Sequence, residues 1–186
     1  MIEFKKVSKS YDKKVLHNLS FKIADGNSMG IFGKSGIGKT TILKLLLNLE
    51  KADQGFIETN FTNASVVFQE NRLINEISAL DNLKLIENDE QLLIDTLKRF
   101  GINDVNQKIY LLSGGMQRKV ALARAYVFNG DILIMDEPFT GIDYASKSYL
   151  ASTIKERFMD KSIIMVSHNT CDFELFDIKK DNIIFL

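Results

Sequence analysis

The stretch Gly33-Lys34-Ser35-Gly36-Ile37-Gly38-Lys39-Thr40 has glycine, lysine and a hydroxyl residue at the spacing G-x-x-x-x-G-K-[ST]. A short apolar run (27–32) precedes it, and residues 41–48 after it have the apolar spacing of a helix. In such a strand–loop–helix unit, glycines let several backbone N–H groups point at phosphate oxygens, and the helix N-terminus adds partial positive charge. The pattern therefore predicts a loop that binds nucleotide phosphates, and the competing interpretation, a Gly-rich turn before a helix, ignores that context.

Within this loop, the chemistry of a nucleoside triphosphate assigns separate tasks to the lysine and the hydroxyl. Lys39 is expected to reach the β- and γ-phosphates, and the Thr40 hydroxyl to hold Mg²⁺. ATP and Mg²⁺ are thus the predicted ligands. The predicted contacts to the nucleotide in this region are Gly33, Lys34, Ser35, Gly36, Ile37, Gly38, Lys39, Thr40 and Thr41.

Composition limits the class of protein. The chain has 186 residues, of which 45% are hydrophobic, so a single domain with a substantial core is expected. Lysine plus arginine and aspartate plus glutamate are 24 each, and this zero net charge argues against a nucleic-acid partner. The single cysteine, Cys171, fits a reducing compartment. No window approaches the ~20 apolar residues of a membrane span, so any work at a membrane is expected to go through a partner.

The order of apolar runs predicts an α/β fold with two additions. Residues 2–32 are predicted to be rich in β-strand, which indicates an N-terminal antiparallel β subdomain that leads into the strand before the phosphate loop. Residues 75–87 and 90–100 have helical spacing and indicate a helical insert, ended by Gly101 as a C-cap. The continuous apolar run 131–137 is typical of a parallel strand buried on both faces. A helix over 144–158 and strands over 162–166 and 182–186 complete the predicted core.

Polar residues follow three of the predicted strands. Gln69, the pair Asp136-Glu137 and His168 each come after a short apolar run. Strand C-termini of an open parallel sheet share one edge, and ligands bind in the crevice outside it. Any one of these residues could simply mark a strand leaving for solvent. All of them beside an intact phosphate loop favour an active site.

Phosphoryl transfer suggests a role for each of these residues. Its transition state spreads charge over the γ-phosphate oxygens, so the protein must supply position and counter-charge. Asp136 is expected to hold Mg²⁺ through water, and Glu137 to act as the general base toward the attacking water. We expect His168 to contact the γ-phosphate and Glu137, and Gln69 to sense Mg²⁺ and the water. Tyr11, in a polar stretch between two strands, is a candidate to stack on the adenine base.

Taken in order, these landmarks resemble the ATP-binding cassette (ABC) ATPase family over nearly the whole chain. Leu112-Ser113-Gly114-Gly115-Met116 is similar to the family's diagnostic signature, with Met116 where glutamine is commoner. Thr140-Gly141-Ile142-Asp143 resembles its aspartate loop and His168 its switch histidine. The resemblance implies a phosphate-loop NTPase core with a mostly parallel sheet, an N-terminal antiparallel β subdomain and a helical subdomain at approximately 70–128.

The family resemblance also implies an assembly. Two copies, or one copy and a paralogous cassette, would join head to tail when ATP binds. Ser113, Gly114 and Gly115 of one subunit would then close on the phosphates held by the other, and Asp143 would join that site. A helix start opened by glycine is an anion site, yet in a separate lobe it cannot reach its own chain's phosphate loop.

In this family a free cassette usually powers a membrane transporter. A transmembrane permease subunit would dock near Gln69 to Leu83, which resembles the nitrate, sulfonate and taurine type of importer. This places the protein in the cytoplasm, on the inner face of the cell membrane. Two alternatives stay open. One is a non-transport cassette that acts in DNA repair or on the ribosome, although no basic surface is evident. The other is an unrelated phosphate-loop kinase or GTPase, although the signature argues against it.

Overall fold

Two β-sheets organise the protein, whose computed structural model describes all 186 residues. The strands are β1 (Ile2–Ser10), β2 (Lys14–Ile23), β3 (Met29–Phe32), β4 (Gln54–Thr59), β5 (Ala64–Val67), β6 (Ile132–Asp136), β7 (Ser162–Ser167) and β8 (Ile183–Phe185). Strands β2, β1 and β4 form an antiparallel sheet in that order. The predicted N-terminal antiparallel region is confirmed, and β4 joins it from further along the chain.

The second sheet is parallel throughout. Its order is β5-β6-β7-β3-β8, so the strand before the phosphate loop lies between β7 and β8. Strand β6 pairs with β5 on one side and β7 on the other. The carboxyl ends of all five strands therefore lie along one edge. This mixed α/β architecture confirms the predicted fold class.

Six α-helices connect and cover the sheets. They are α1 (Lys39–Leu46), α2 (Ala79–Lys84), α3 (Glu90–Arg99), α4 (Gly114–Phe128), α5 (Tyr144–Arg157) and α6 (Thr170–Glu174). Ser113 is the N-cap of α4, because its Oγ accepts from the Met116 N–H at 3.2 Å. Asp143 caps α5 in the same way, accepting from the Ser146 N–H at 2.9 Å. None of the helices combines the length and apolar character needed to cross a bilayer.

The parallel sheet separates two apolar cores. On β6, Ile132 and Ile134 face the core shared with the antiparallel sheet and α1. Leu133 and Met135 face the larger core, which includes the residues of α2, α3 and α4. Both faces of β6 are thus buried, as the continuous apolar run predicts.

The predicted helix over 75–87 is wrong in extent, because α2 covers only Ala79–Lys84. The residues before it take part in long-range contacts that an extended helix would break. Asn82 Oδ1 accepts from the Ile74 N–H at 2.8 Å, and Ser78 forms a β-bridge with Lys108. Ser78 then caps α2 by accepting from the Asp81 N–H. Tertiary hydrogen bonds therefore override the helical spacing of the apolar residues.

Candidate nucleotide-binding and catalytic site

A cleft of about 860 Å³ opens at the shared edge of the parallel sheet. It lies where the phosphate loop, the ends of β6 and β7, and the segment after β5 converge. The predicted site residues that line it are Tyr11, Lys34, Ser35, Gly36, Gly38, Lys39, Thr40, Thr41, Gln69, Asp136, Glu137 and His168. The structure therefore brings together residues from five separate parts of the chain.

The phosphate loop curls around the Lys39 side chain. Gly36 and Gly38 have φ of 80° and 115°, a left-handed backbone that glycine adopts without steric cost. Lys39 Nζ donates to the Gly33 carbonyl at 2.7 Å and to the Lys34 carbonyl at 3.1 Å. Those bonds hold the ammonium group under the loop, where it faces the cleft.

Oxygen ligands for a divalent cation lie next to the loop. Thr40 Oγ1 donates to Asp136 Oδ2 at 2.8 Å, joining the start of α1 to the end of β6. Burial raises the pKa of Asp136, against the smaller opposite effect of the Thr40 hydrogen bond. A buried carboxylate beside a hydroxyl is an oxygen donor set suited to Mg²⁺.

Glu137 and His168 form a pair at the edge of the cleft. His168 Nδ1 lies 2.7 Å from Glu137 Oε2, and the histidine side chain is 70% exposed whereas that of the glutamate is 13% exposed. Glu137 has φ of 49°, uncommon outside glycine. Its N–H donates to the Val166 carbonyl at 2.9 Å, which ties this strained residue to β7.

Tyr11 lies in the turn between β1 and β2 and lines the same cleft. Its hydroxyl donates to the Glu50 carboxylate, and Lys9 Nζ lies 5.4 Å from the ring centroid. Lys44 pairs with the same glutamate at 3.2 Å. Burial and the Glu50 hydrogen bond raise the pKa of the Tyr11 hydroxyl. The ring is thus half exposed but held in one orientation.

Six of the predicted site residues do not line the cleft: Gly33, Ile37, Ser113, Gly114, Gly115 and Asp143. Gly33 is buried beneath the loop, and Ile37 packs against it from outside. The other four lie at the starts of α4 and α5, and Gly115 approaches Gly141 so closely that a Cβ would lie 2.5 Å from the Gly141 oxygen. The signature and the aspartate loop therefore pack together, away from the cleft of their own chain.

Two residues that line the cleft, Val15 and Thr140, are not among the predicted site residues. Val15 sits in β2 within a short apolar run, which the sequence marks only as a strand. A Cβ on Gly38 would lie 2.7 Å from Val15 Cγ1, so this side chain packs tightly on the phosphate loop. Thr140 begins the aspartate-loop stretch, and its Oγ1 donates to the Glu137 carbonyl at 3.2 Å. That position in the loop is the one signal in the sequence that points to Thr140.

The family model described as ABC transporter matches residues 16–140, which is about two thirds of the chain. The chain belongs to the ABC transporter family. Within that family the matched range contains the phosphate loop, Gln69, the Ser113 signature and the Asp136-Glu137 pair.

Curated ABC relatives include proteins named for export and for import. The Nod factor export ATP-binding protein I of Burkholderia thailandensis is 32% identical over 90% of this chain. The aliphatic sulfonates import ATP-binding protein SsuB of Cupriavidus necator is 32% identical over 92% of it. The chain spans 62% of the length of each of these two relatives.

Among solved structures, the dimeric bacterial ABC transporter cassette MJ0796 has the same fold. It superposes with a TM-score of 0.84 at 25% identity and covers 100% of this chain and 94% of that one. The same cassette is known in a dimeric post-hydrolysis state bound to ADP and Pi, again with a TM-score of 0.84. The likeness extends to both sheets and to the helices between β5 and β6, because no part of this chain falls outside it.

Proposed function

We propose that this chain binds and hydrolyses ATP and that the hydrolysis powers an ABC membrane transporter. The single observation that carries this proposal is the Glu137–His168 pair, 2.7 Å apart, in the same cleft as the phosphate loop. Residues 1–186 would form one ABC ATPase domain, with a helical subdomain over approximately 70–128. Membership of the ABC family and the likeness to a dimeric cassette support the same proposal.

Mg²⁺ fits the residues at the foot of the phosphate loop. Thr40 and Asp136 offer two oxygens 2.8 Å apart, and Gln69 lines the same cleft with a third. When bound there, Mg²⁺ neutralises the phosphate oxygens and orients them for transfer. Thr40, Asp136 and Gln69 are the residues that would hold it, with phosphates and water as the remaining ligands.

In the proposed reaction, Glu137 is the general base and His168 orients it. The carboxylate would accept a proton from the attacking water, and the histidine would contact both the γ-phosphate and Glu137. Lys39 would offset the negative charge on the β- and γ-phosphates from within the loop. Tyr11, held by Glu50, would stack on the adenine and position the base without reading its edge.

The test of the chemistry is Glu137→Gln, which keeps the shape of the side chain and removes its basicity. We expect steady-state ATP hydrolysis to fall by at least about 100-fold, while ATP affinity stays within threefold of the native value. Glu174→Gln, on the exposed face of α6, is the matched control and should leave both unchanged. Retained hydrolysis in Glu137→Gln would remove this residue as the base.

The complete site is proposed to need a second subunit, either another copy or a paralogous cassette. Ser113 and Gly115 lie at the exposed start of α4 and do not line their own chain's cleft, so their proposed ligand is the nucleotide of the partner. Gly114 and Asp143 would lie in the same interface. ATP binding by the Glu137→Gln variant should double the mass from 21.1 kDa. In the same background, Ser113→Arg should prevent dimerisation, whereas the control Ser152→Arg should not. A Glu137→Gln protein that stays monomeric at saturating ATP and Mg²⁺ would contradict the homodimer.

The membrane partner is proposed to be a transmembrane permease subunit that docks near Gln69 to Leu83. Ile74 is 46% exposed in this segment, and Glu70 and Arg72 are near it in the chain, which supports a surface with an apolar centre and charged rim. The protein would then sit in the cytoplasm against the inner face of the cell membrane. Purification from native membranes should recover a polytopic subunit. Recovery of ribosomes or DNA alone would favour a non-transport cassette.

A further inference from the structure

Arg118, in the second turn of α4, is 2% exposed, the least of any charged residue. Burial lowers the pKa of Arg118 to about 10, so it still carries its charge at neutral pH. No carboxylate oxygen bonds to it. The acceptors of its guanidinium group are the backbone oxygens of Phe68, Gln69, Asp136, Glu137 and Pro138 and the side-chain oxygen of Asn71.

One side of the guanidinium group holds the end of β6. Arg118 Nη2 donates to the carbonyls of Asp136 and Glu137, both at 2.7 Å, and Nε donates to the Pro138 carbonyl at 2.9 Å. These are three consecutive carbonyls around a residue whose φ is 49°. A non-glycine residue in this conformation persists only when its surroundings over-determine it. Arg118 supplies a large part of that restraint for Glu137.

The other side holds the segment that carries Gln69. Arg118 Nη1 donates to the Phe68 carbonyl at 2.5 Å and to Asn71 Oδ1 at 3.1 Å. The contact to the Gln69 carbonyl is longer, at 3.3 Å. The flat, forked shape of the guanidinium group is what allows one side chain to join two separate backbone segments.

The same side chain belongs to the helix that begins after Ser113. Five residues at 1.5 Å each put Arg118 about 7.5 Å along the helix from that start. A shift of α4 as a body would therefore reach the backbones of Glu137 and Gln69 through one side chain.

We propose that Arg118 is a positioning residue that fixes Glu137 and Gln69 together relative to the helix led by Ser113. This inference rests on the proposed function, in which Glu137 is the base and Gln69 senses Mg²⁺ and water. Arg118 itself does not line the cleft. Its effect is on turnover, because Lys39 and Tyr11, which would bind the nucleotide, are held by other groups.

The test compares two identical substitutions on the same helix. Arg118→Lys keeps the charge but cannot span both segments, since one ammonium replaces the fork. Arg124→Lys is the matched control, because Arg124 donates only to the carbonyls of Asn71 at 3.0 Å and Arg72 at 2.6 Å and does not reach β6. Each variant is assayed for kcat, for KM of ATP, and for amide hydrogen exchange without nucleotide.

A displacement near 1 Å at a catalytic group costs about 100-fold in rate, so kcat of Arg118→Lys should fall between about 10-fold and 100-fold. KM for ATP should change by less than threefold, and amides of residues 68–71 and 136–140 should exchange faster. Arg124→Lys should keep kcat within threefold. A purely structural role would instead lower thermal stability and leave kcat per folded molecule unchanged.

Two results would overturn the inference: kcat of Arg118→Lys within twofold of the native value, or a KM that rises as much as kcat falls. The exchange measurement separates the two proposals, because it needs no turnover. Faster exchange in both segments of Arg118→Lys, with no ATP hydrolysis by the native protein, would refute the proposed function and leave the restraint by Arg118 intact.

Discussion

Gly115 offers a sharp test of how the signature packs, because its neighbour Gly114 has the opposite surroundings. A Cβ added to Gly115 would lie 2.5 Å from the Gly141 oxygen, closer than the 3.0 Å limit that real Cβ atoms respect. The obstacle is backbone and cannot rotate away. A Cβ on Gly114 meets nothing within 4 Å. The two alanine variants differ by one position in the same helical turn and by nothing else in chemistry.

The magnitude follows from two opposing effects. Forcing a methyl group into a packed contact typically costs about 1–3 kcal/mol. Alanine in place of glycine favours the helix by up to about 1 kcal/mol. With the full helix gain subtracted, Gly115→Ala should lose up to about 2 kcal/mol net, and at about 2–4 °C per kcal/mol its Tm should fall by up to about 8 °C. Gly114→Ala should be neutral or gain up to about 1 kcal/mol.

The assay is thermal and urea unfolding of the protein without nucleotide, so that no phosphate contact from a partner enters the comparison. Hydrogen exchange over residues 140–143 reports whether the aspartate loop has moved. Equal stability of the two variants, or a Gly115→Ala protein more stable than the native one, would falsify the claim that the signature and the aspartate loop are packed against each other. An activity loss in Gly115→Ala with unchanged stability would assign the glycine to the partner's phosphate alone.

Two further predictions concern the walls of the cleft. Tyr11→Ala should weaken ATP binding about tenfold or more, because stacking on a base contributes about 1–3 kcal/mol. The affinity of Tyr11→Phe for ATP should stay within about threefold of the native value, because the ring is kept. Calorimetry in the Glu137→Gln background measures both affinities. Burial raises the pKa of Asp136 above its ordinary value of 3.8, so the folded protein binds the Asp136 proton more tightly than the unfolded chain does. The free energy of unfolding therefore falls as the pH rises from 3.8 to the pKa of Asp136 in the folded protein. Asp136→Asn should therefore remove this loss of stability above about pH 4, and it should also end Mg²⁺-dependent hydrolysis. Urea unfolding of the native protein and of Asp136→Asn at several pH values measures the effect. The same pH dependence in both proteins would show that Asp136 is not desolvated.

Local patterns predicted the elements that carry the site. The phosphate loop depends on neighbouring residues only, and the polar residues after β6 and β7 are visible as the point where an apolar run stops. The parallel sheet then gathers them at one edge, which is a general property of such sheets. For this reason the meeting of Asp136, Glu137 and His168 follows from the order of the apolar runs.

Side chains whose burial depends on their folded surroundings could not be predicted in this way. Asn82 looks like an ordinary polar residue of a helix, yet it is fully buried and its amide bonds to Ile74 and Ser78 shorten α2. Arg118 follows the signature as one of two basic residues, and the sequence gives no sign that it is the buried one. Burial of a charge depends on which carbonyls the fold leaves unpaired, and those come from segments 20 and 50 residues away.

Glu137 shows why these two kinds of information have to be combined. Its place at the end of β6 follows from the sequence, but its φ of 49° does not, because local preference disfavours that conformation in a glutamate. The Glu137 N–H donates to Val166, and the Glu137 carbonyl accepts from Arg118 and Thr140. The carboxylate contacts His168. A sequence that breaks a local rule at one residue and restrains that residue from its own loop, from β7 and from α4 is one in which the residue's orientation matters. The hydrogen bonds from Arg118 and His168, more than the value of φ alone, therefore support the proposed role, because exposed Lys6 and Arg72 have φ of 50° and 49° as well.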